Sequence, residues 1–405
     1  MTHYDTLETR SADARETALA KHLPQVVARA QATAGGAAHL AGVEASAITS
    51  RAALATLPVL RKSALVEAQT ASPPFGGFTS HAASGFAHVF QSPGPIYEPG
   101  MRGGDWWRLG RFLHAIGIGQ GDIVQNCFAY HMTPAGMMFE NAAQAVGAAV
   151  FPAGTGQTAL QAQAAAHLGI TTYAGTPDYL NVIFEKADEL GLKLGITKAA
   201  VSGGALFPAM REAYAARGIT TRQCYATADL GNIAYESEAM EGMIVDEGVI
   251  VEIVRPGTGD PVLEGEVGEV VVTTLNPDYP LVRFATGDMS AVLSGESPCG
   301  RTNQRIKGWM GRADQTTKIK GMFVRPEQVA ELVARHPEVS KARVVATRDG
   351  TADAMTVQFE AIGADEAALA ASVAETLKLK GKIEVVTPGS LPNDGKVIDD
   401  QRSYE

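Results

Sequence analysis

The stretch from residue 105 to residue 204 alternates short apolar segments with longer segments of helical periodicity. The strand-like segments are 122–128, 148–152, 170–173 and 199–201. The helix-like segments are 106–116, 134–147, 157–168 and 176–190. This alternation predicts an α/β fold, with a mostly parallel sheet flanked by helices on both faces. Ligands of such sheets bind where the strands end, which directs attention to the glycine-rich segments 153–156 and 202–204.

The chain of 405 residues is too long for one hydrophobic core, so we expect two domains. Strand-like segments separated by Gly/Pro-rich turns predict a β-rich subdomain at about 230–310. After Gly311-Arg312, two helical and several extended segments predict a small α+β domain. We therefore expect a large domain at 1–312 and a small one at 313–405. Near the start, helical spacing over 11–34 contains Pro24, where we expect a break.

Composition excludes several classes of partner. A net charge of -10 argues against nucleic acid, because phosphate backbones need clustered basic residues. We find no apolar run of about 18 residues, so no membrane span is expected, and residues 1–16 are too polar for a signal peptide. Three widely spaced cysteines, Cys127, Cys224 and Cys299, fit a reducing cytoplasm without disulfides, and we predict a cytoplasmic protein.

The segment 279–288 reads as a strand that ends in Thr-Gly-Asp. A carboxylate at that position, Asp288, is suited to accept hydrogen bonds from two neighbouring hydroxyls, such as those of a ribose. The alternative is an aspartate that caps a turn.

Two further segments carry basic residues in turn-rich surroundings. Gly311-Arg312 precedes a charged, strand-like segment, which suits a hinge that holds a guanidinium near phosphate or ribose, or an exposed linker. Lys396 follows Gly395 in a turn near the end of the chain. It is either a solvated surface charge or a mobile lysine that stabilises an adenylation transition state.

The fourth segment, 224–229, follows a strand-like stretch and combines an aromatic with an acid. Tyr225 could stack on a purine, and Asp229 could hold Mg²⁺. Taken alone, Tyr225 could equally be a core aromatic.

In their order along the chain, these four segments resemble the adenylate-forming superfamily, and most specifically its phenylacetate–CoA ligase branch. The likeness runs from Tyr4–Arg10 through 57–62 and 73–77 to Gly395-Lys396. It implies a large domain with a small mobile lid, the use of ATP, Mg²⁺ and CoA, and a possible homodimer.

The resemblance also implies roles for individual residues. Ser202, Gly203 and Gly204 would line the adenine pocket, Tyr225 would stack on the base, and Asp229 would hold the metal. Asp288 would bind the ribose with Arg312 nearby, Asp314 would be the hinge, and Lys396 the adenylation lysine. The residues expected to border the substrate pocket are Tyr130, His131, Met132 and Gly154. His131 could instead be structural, and Met137 and Phe139 nearby could be core residues of a helix.

The chain departs from the family at its phosphate loop, residues 90–99. Only Ser92 and Gly94 keep the expected character, and we assign them to nucleotide binding. Pro93 and Pro95 lack backbone N–H groups that could bind phosphate. Glu98 would oppose a polyphosphate unless Mg²⁺ or an arginine such as Arg102 screens it.

A second departure concerns zinc. Some members of the family carry a cysteine/histidine site, but the matching stretches 236–244 and 296–301 contain a single such residue, Cys299. One thiolate does not make a tetrahedral site, so we predict no zinc and expect packing to replace it.

The sequence therefore predicts an AMP-forming carboxylic acid–CoA ligase that activates an aromatic or short acyl acid. Two alternatives remain open: an adenylate-binding protein without turnover, acting as a sensor or partner subunit, and an adenylating enzyme whose acceptor is not CoA.

Overall fold

The computed structural model describes residues 3–204, 206–313, 315–320, 322–349, 352–392, 394 and 396–402. Asp314, the predicted hinge, lies outside these residues. The chain divides into two compact units. The first unit comprises Met1–Val251, Val272–Phe284 and Leu293–Gly308, and the second comprises Glu252–Val271, Ala285–Val292 and Trp309–Glu405. The domain boundary at 312/313 stays a prediction.

The helices share a length of 5 to 20 residues and are α1 (Ala12–Gln31), α2 (Ala34–His39), α3 (Arg51–Ala55), α4 (Lys62–Ala71), α5 (Gly110–Ile116), α6 (Ala135–Ala145), α7 (Thr158–His167), α8 (Pro177–Glu189), α9 (Pro208–Ala216), α10 (Pro326–Arg335) and α11 (Glu366–Leu377). The strands before residue 260 are β1 (Leu60–Arg61), β2 (His88–Ser92), β3 (Ile96–Gly100), β4 (Ile123–Asn126), β5 (Ala149–Phe151), β6 (Thr172–Gly175), β7 (Lys198–Val201), β8 (Thr220–Thr227), β9 (Gly231–Glu236), β10 (Met243–Val245) and β11 (Val249–Val254). The later strands are β12 (Gly268–Thr274), β13 (Phe284–Ser290), β14 (Val292–Leu293), β15 (Arg305–Ile306), β16 (Thr317–Ile319), β17 (Met322–Val324), β18 (Val339–Asp349), β19 (Ala352–Ala361), β20 (Lys382–Val386) and β21 (Ile398–Asp400).

The main sheet has nine strands in the order β14-β15-β10-β9-β8-β7-β6-β4-β5. Strands β4 to β8 are parallel, and β9 and β10 continue the sheet in antiparallel fashion. One face is covered by α5 and α6 through residues such as Phe112 and Phe139. The other face is covered by α7, α8 and α9 through residues such as Leu180 and Tyr214. The predicted α/β fold with helices on both faces of a parallel sheet is confirmed.

The second unit contains an α+β module near the end of the chain. Its sheet has the order β20-β19-β18-β21, and β18 and β19 form a long antiparallel pair. Apolar side chains of α10 and α11, including Leu332 and Val373, pack with Val344 and Phe359 of this sheet. The predicted helices and strands of this region are confirmed.

Two local predictions are wrong. The break at Pro24 does not occur, because α1 runs through it. Its apolar face packs in the core through residues such as Leu23 and Val27, and this burial offsets the hydrogen bond that proline cannot donate. The strand predicted at 279–288 begins only at Phe284, after a backbone turn at Arg283 with a φ of 48°. Asp288 therefore lies within β13 rather than at its end.

A buried ionic network fixes the N-terminal segment in the first unit. The Glu8 carboxylate accepts hydrogen bonds of 2.6 Å from the Tyr235 hydroxyl and from Arg301 Nε. Arg301 also donates to Glu238 at 3.0 Å. Burial alone would raise the pKa of Glu8, but the hydrogen bonds from Tyr235 and Arg301 outweigh it and hold this pKa below its ordinary value.

We predict that Glu8→Gln lowers the free energy of unfolding by about 3 kcal/mol at pH 7, because it removes the fully buried one of the two carboxylates that pair with the buried Arg301 guanidinium. Since the folded-state pKa is depressed, the charged Glu8 stabilises the protein above pH 4.5 and loses that effect as pH falls through the folded pKa. The difference between wild type and variant should therefore shrink below pH 4.5. Urea unfolding between pH 3.5 and pH 7 measures it.

The matched control is Glu16→Gln, which removes an exposed partner of Arg51 in the same unit. It should change stability far less than Glu8→Gln. Equal effects of the two substitutions would contradict the importance assigned to the network.

Candidate nucleotide site

The carboxyl ends of the parallel strands bring most of the predicted site residues of the first unit to one edge of the sheet. The spatial order β5-β4-β6-β7-β8 reverses between β4 and β6, which makes this a topological switch point. The predicted residues at or just beyond these strand ends are Tyr130, His131, Met132, Gly154, Ser202, Gly203, Gly204, Tyr225 and Asp229.

The turn after β7 is fixed by backbone requirements. Ser202 is buried, and its hydroxyl donates to the carbonyl of Cys224 at 3.1 Å on the adjacent strand. Gly203 has a φ of 70°, which favours glycine, and both Gly203 and Gly204 are exposed. Because Val201 pairs with Gln223, this turn lies level with the half-buried Tyr225 of β8. An exposed glycine turn beside an aromatic ring is a surface on which a flat base can stack.

The loop after β4 is tied to its surroundings by Asn126. Its amide donates to the Tyr130 hydroxyl and to the carbonyl of Gly136, both at 2.8 Å. Burial and the nearby Glu140 carboxylate raise the pKa of Tyr130 well above its ordinary value, so its phenol is neutral. His131 and Met132 are exposed.

The interpretation of Met137 and Phe139 as core residues of a helix is confirmed. Phe139 is buried and stacks on Phe128 with ring centroids 4.4 Å apart, and Met137 packs against the same cluster. These two residues therefore belong to the core beneath the site.

Gln161, which sequence reasoning missed, holds the loop after β5. Its amide nitrogen donates to the carbonyls of Gly154 and Gly156, at 3.0 and 2.8 Å. Its oxygen accepts from the Gln125 amide at 3.0 Å. The side chain is buried, so it satisfies polar groups that water does not reach. A polar residue on the inner face of α7 was the available signal.

We predict that Gln161→Leu destabilises the protein by about 2 kcal/mol, because it orphans buried carbonyl and amide groups. Chemical unfolding measures the loss. The control is Gln144→Leu on the exposed face of α6, where the side chain bonds only to Glu140 among the described contacts. A loss no greater than the control's would show that Gln161 does not anchor the loop.

The predicted phosphate loop is the turn of the hairpin formed by β2 and β3. Ser92 ends β2, and Pro93, Gly94 and Pro95 form an exposed turn. Gln69 of α4 fixes the hairpin, because its amide accepts from the Tyr97 N–H and donates to the Tyr97 carbonyl, both at 2.8 Å. The segment predicted to be the phosphate loop is therefore a turn, and its two prolines leave it with few backbone N–H donors.

Glu98 points into the protein rather than towards solvent. It is 0% exposed, and burial and the charge of Asp229 raise its pKa to about 8. Ser92 and Lys62 lie close enough to lower that pKa in part. The cation that lowers the pKa of Glu98 is thus Lys62. Arg102, which was predicted to screen the negative charge of Glu98, is exposed.

Lys62 was not assigned to the site from the sequence. Its ammonium contacts Asp229 Oδ2 at 3.0 Å, and it is 40% exposed while the Asp229 side chain is 0% exposed. Its position at the first residue of α4, in a segment already noted for its resemblance, was the only signal. The structure therefore brings Ser92, Glu98, Lys62 and Asp229 together.

Arg312, which was predicted to lie near Asp288, pairs with it in the second unit. Asp288 Oδ1 accepts from Arg312 at 2.9 Å and from the indole nitrogen of Trp309 at 3.0 Å. Arg312 and Asp288 also form a β-bridge. Sequence reasoning missed Trp309, an exposed aromatic two residues before Gly311.

Lys396 belongs to the same unit and is half exposed, with its ammonium 3.0 Å from Asp399 Oδ1. Although burial opposes it, hydrogen bonds from Gln401, Lys396 and Arg343 lower the pKa of Asp399 to about 2. Arg343 also clamps Asp394 at 3.0 Å.

The region compared with the zinc site contains Cys299, whose sulfur lies 3.1 Å from the Ser297 hydroxyl. Across the described parts of the chain, no group of three or more His, Cys, Asp or Glu side chains could hold a metal. The network of Glu8, Tyr235 and Arg301 connects this region to the N-terminal segment.

The chain is similar to several known proteins in sequence and in structure. No protein-family model matches the chain. It is 28% identical over 336 residues to a phenylacetate–CoA ligase of Aromatoleum evansii, covering 79% of this chain and 74% of that protein. It is 28% identical over 262 residues to the Thermus thermophilus enzyme of that name, covering 62% of this chain and 59% of the relative. The Escherichia coli enzyme is 29% identical, with 62% and 60% covered. The chain thus spans about three fifths of two of these relatives.

Solved structures match over nearly the whole chain. A 2-hydroxyisobutyryl-CoA ligase in complex with R3-HIB-AMP has a TM-score of 0.71 at 25% identity, covering 97% of this chain and 91% of that one. The same ligase with 2-HIB-AMP and CoA has a TM-score of 0.70 at 25% identity, with 98% and 91% covered.

The fold and these matches define the class: the chain is a member of the adenylate-forming superfamily that contains the acyl-CoA ligases. Within it, the chain is a homologue of the phenylacetate–CoA ligases, and the resemblance drawn from the sequence is confirmed. None of the helices among the described residues is long and apolar enough to cross a membrane.

Proposed function

We propose that the protein is an AMP-forming carboxylic acid–CoA ligase. The observation that carries the proposal is the edge of the main sheet where the parallel strands end: the Ser202–Gly204 turn lies level with Tyr225 there, and Asp229 follows just after Tyr225 in the sequence. The relatives named as phenylacetate–CoA ligases and the ligase structures with adenylate and CoA support it.

In the proposed reaction, a carboxylate oxygen attacks the α-phosphorus of ATP, and the bond to pyrophosphate breaks to give an acyl-adenylate. The sulfur of CoA then attacks the acyl carbon, the bond to AMP breaks, and the thiol proton is lost to solvent. Tyr225 stacks on the adenine, and Asp288 accepts hydrogen bonds from the ribose hydroxyls beside Arg312. Lys396 stabilises the negative charge that develops in the first step.

The residues present fit a magnesium ion. In the described structure, Asp229 Oδ1 is buried without a hydrogen-bond partner, and carboxylate oxygens are preferred ligands of Mg²⁺. Asp229 would hold the ion, which when bound neutralises phosphate charge. The protein's own part is to keep Asp229 buried and oriented through Lys62.

For the acid, we propose an aromatic or short acyl group beside Tyr130, Met132 and Gly154. The neutral Tyr130 phenol and the exposed Met132 provide a mostly apolar lining, and the Phe128–Phe139 stack supports it from the core beneath. His131, exposed in the same loop, is proposed to border the pocket. The same proposal includes a hinge at Asp314, a homodimer and a cytoplasmic location. It also includes CoA as the acyl acceptor, rather than another thiol or an amine.

One observation favours a second function, that of an adenylate-binding protein without turnover. The turn at 93–95 has two prolines, and Glu98 is buried behind it. Such a loop offers few donors to the β- and γ-phosphates while leaving the base and ribose positions intact.

Pyrophosphate exchange into ATP with a panel of aryl and short-chain acids separates the two functions. We predict acid-dependent exchange in the wild type and a loss of at least about 100-fold in Lys396→Ala, as for other groups that stabilise a transition-state charge. The matched control is Lys382→Ala, which removes another lysine paired with a carboxylate, Glu384. Binding of AMP without any exchange would instead establish the second function.

A further inference from the structure

We propose that Glu98 and Asp229, with the Ser92 hydroxyl, form a divalent-cation site that takes Mg²⁺ or Mn²⁺ before nucleotide binds. The new element is Glu98, an acid in the segment where the family resemblance is weakest. The use of this cation in nucleotide chemistry rests on the proposed function, whereas its binding does not.

The first argument is the state of the carboxylate oxygens. Glu98 is 0% exposed, and Ser92 is the hydrogen-bond donor that acts on it, but in strict geometry neither of its carboxylate oxygens has a hydrogen-bond partner among the described residues. Asp229 has a fully buried side chain whose Oδ1 is likewise without a partner there, while Lys62 takes only Oδ2. Burying a carboxylate oxygen without a partner costs folding free energy unless a cation or a hydrogen-bond donor satisfies it.

The second argument is a comparison with another buried acid pair of the same unit. Asp105 and Asp246 interact with each other, and two arginines, Arg108 and Arg111, lie 3.3 Å from Asp246. Glu98 and Asp229 are paired with one ammonium among the described residues, that of Lys62. The first pair has two guanidinium groups beside it, although Asp105 Oδ1 is also buried without a hydrogen-bond partner among the described residues, whereas the second pair has one ammonium.

The third argument is that the fold holds Glu98 in place. Gln69 binds both backbone groups of Tyr97, which fixes the strand and directs the next side chain, Glu98, to the opposite face. Ser92 lies diagonally opposite Glu98 across the hairpin, because Phe90 pairs with Glu98 and Ser92 with Ile96. Helix α4 carries both Gln69 and Lys62, so one element supports the whole cluster.

The ligand class follows from the donors. Two carboxylates and a hydroxyl are hard oxygen ligands, and Mg²⁺ is commonly held by one or two carboxylates together with water and substrate phosphates. The Lys62 ammonium, being 40% exposed, can move towards solvent when a cation takes its place on Asp229.

Electron paramagnetic resonance of Mn²⁺ added to the full chain without nucleotide tests the proposal. We expect about one bound ion per chain, displaced by Mg²⁺. Glu98→Gln and Asp229→Asn should each weaken binding at least tenfold, and Lys62→Met should strengthen it several-fold by removing the competing ammonium. Asp105→Asn, a buried acid outside the cluster, should bind as the wild type does.

Absence of bound Mn²⁺ at millimolar concentration, or equal affinity in wild type and Glu98→Gln, would overturn the proposal and leave Glu98 as a protonated acid. A second readout covers the case in which a variant folds poorly: Mg²⁺ should raise the melting temperature of the wild type, and no rise would count against the site. Exchange activity without Mn²⁺ binding would refute this site alone. Binding without exchange would refute only the proposed function.

Discussion

The hydrogen-bonded register of the parallel strands β4 to β8 is the constraint on which the candidate site depends. Because these strands run in one direction, every loop that follows them emerges at the same edge, which brings loops that are far apart in the sequence to one side of the sheet. The bond from the Ser202 hydroxyl to the Cys224 carbonyl joins the two strands that present the glycine turn and Tyr225. A slip between β7 and β8 would separate the turn from the ring.

Buried carboxylates of the first unit differ in how completely other side chains pair with them. Glu8 is fully matched, since Arg301 and Tyr235 both donate to it, and the network joins the N-terminal segment to a strand and a loop far along the chain. Glu98 and Asp229 are matched incompletely, by Lys62. Full pairing suits a structural role because no group is left to bind a ligand, whereas incomplete pairing beside a phosphate-loop turn suits a site.

The sequence predicted the α/β fold and the edge of the sheet because both follow from local periodicity and from glycines after strands. It failed where distant contacts decide the outcome. Burial of Leu23 and Val27 carries α1 through Pro24, and the turn at Arg283 delays β13 so that Asp288 lies within it. Lys62, Gln161 and Trp309 were missed because each acts through a partner tens of positions or more away, or lies in a segment with no distinctive motif. Glu98 was noticed, but its inward direction depends on Gln69, which no local pattern reveals.

The central claim is that the turn at Ser202–Gly204 and the ring of Tyr225 bind an adenine nucleotide. Titration calorimetry with AMP tests it most directly, on the wild type, Tyr225→Ala and Tyr225→Phe. Loss of a stacked ring should weaken binding by roughly 5- to 150-fold, corresponding to about 1–3 kcal/mol, while the phenylalanine variant should bind nearly as well as the wild type. Equal AMP affinity in all three proteins, or no binding at millimolar concentration, would contradict the account.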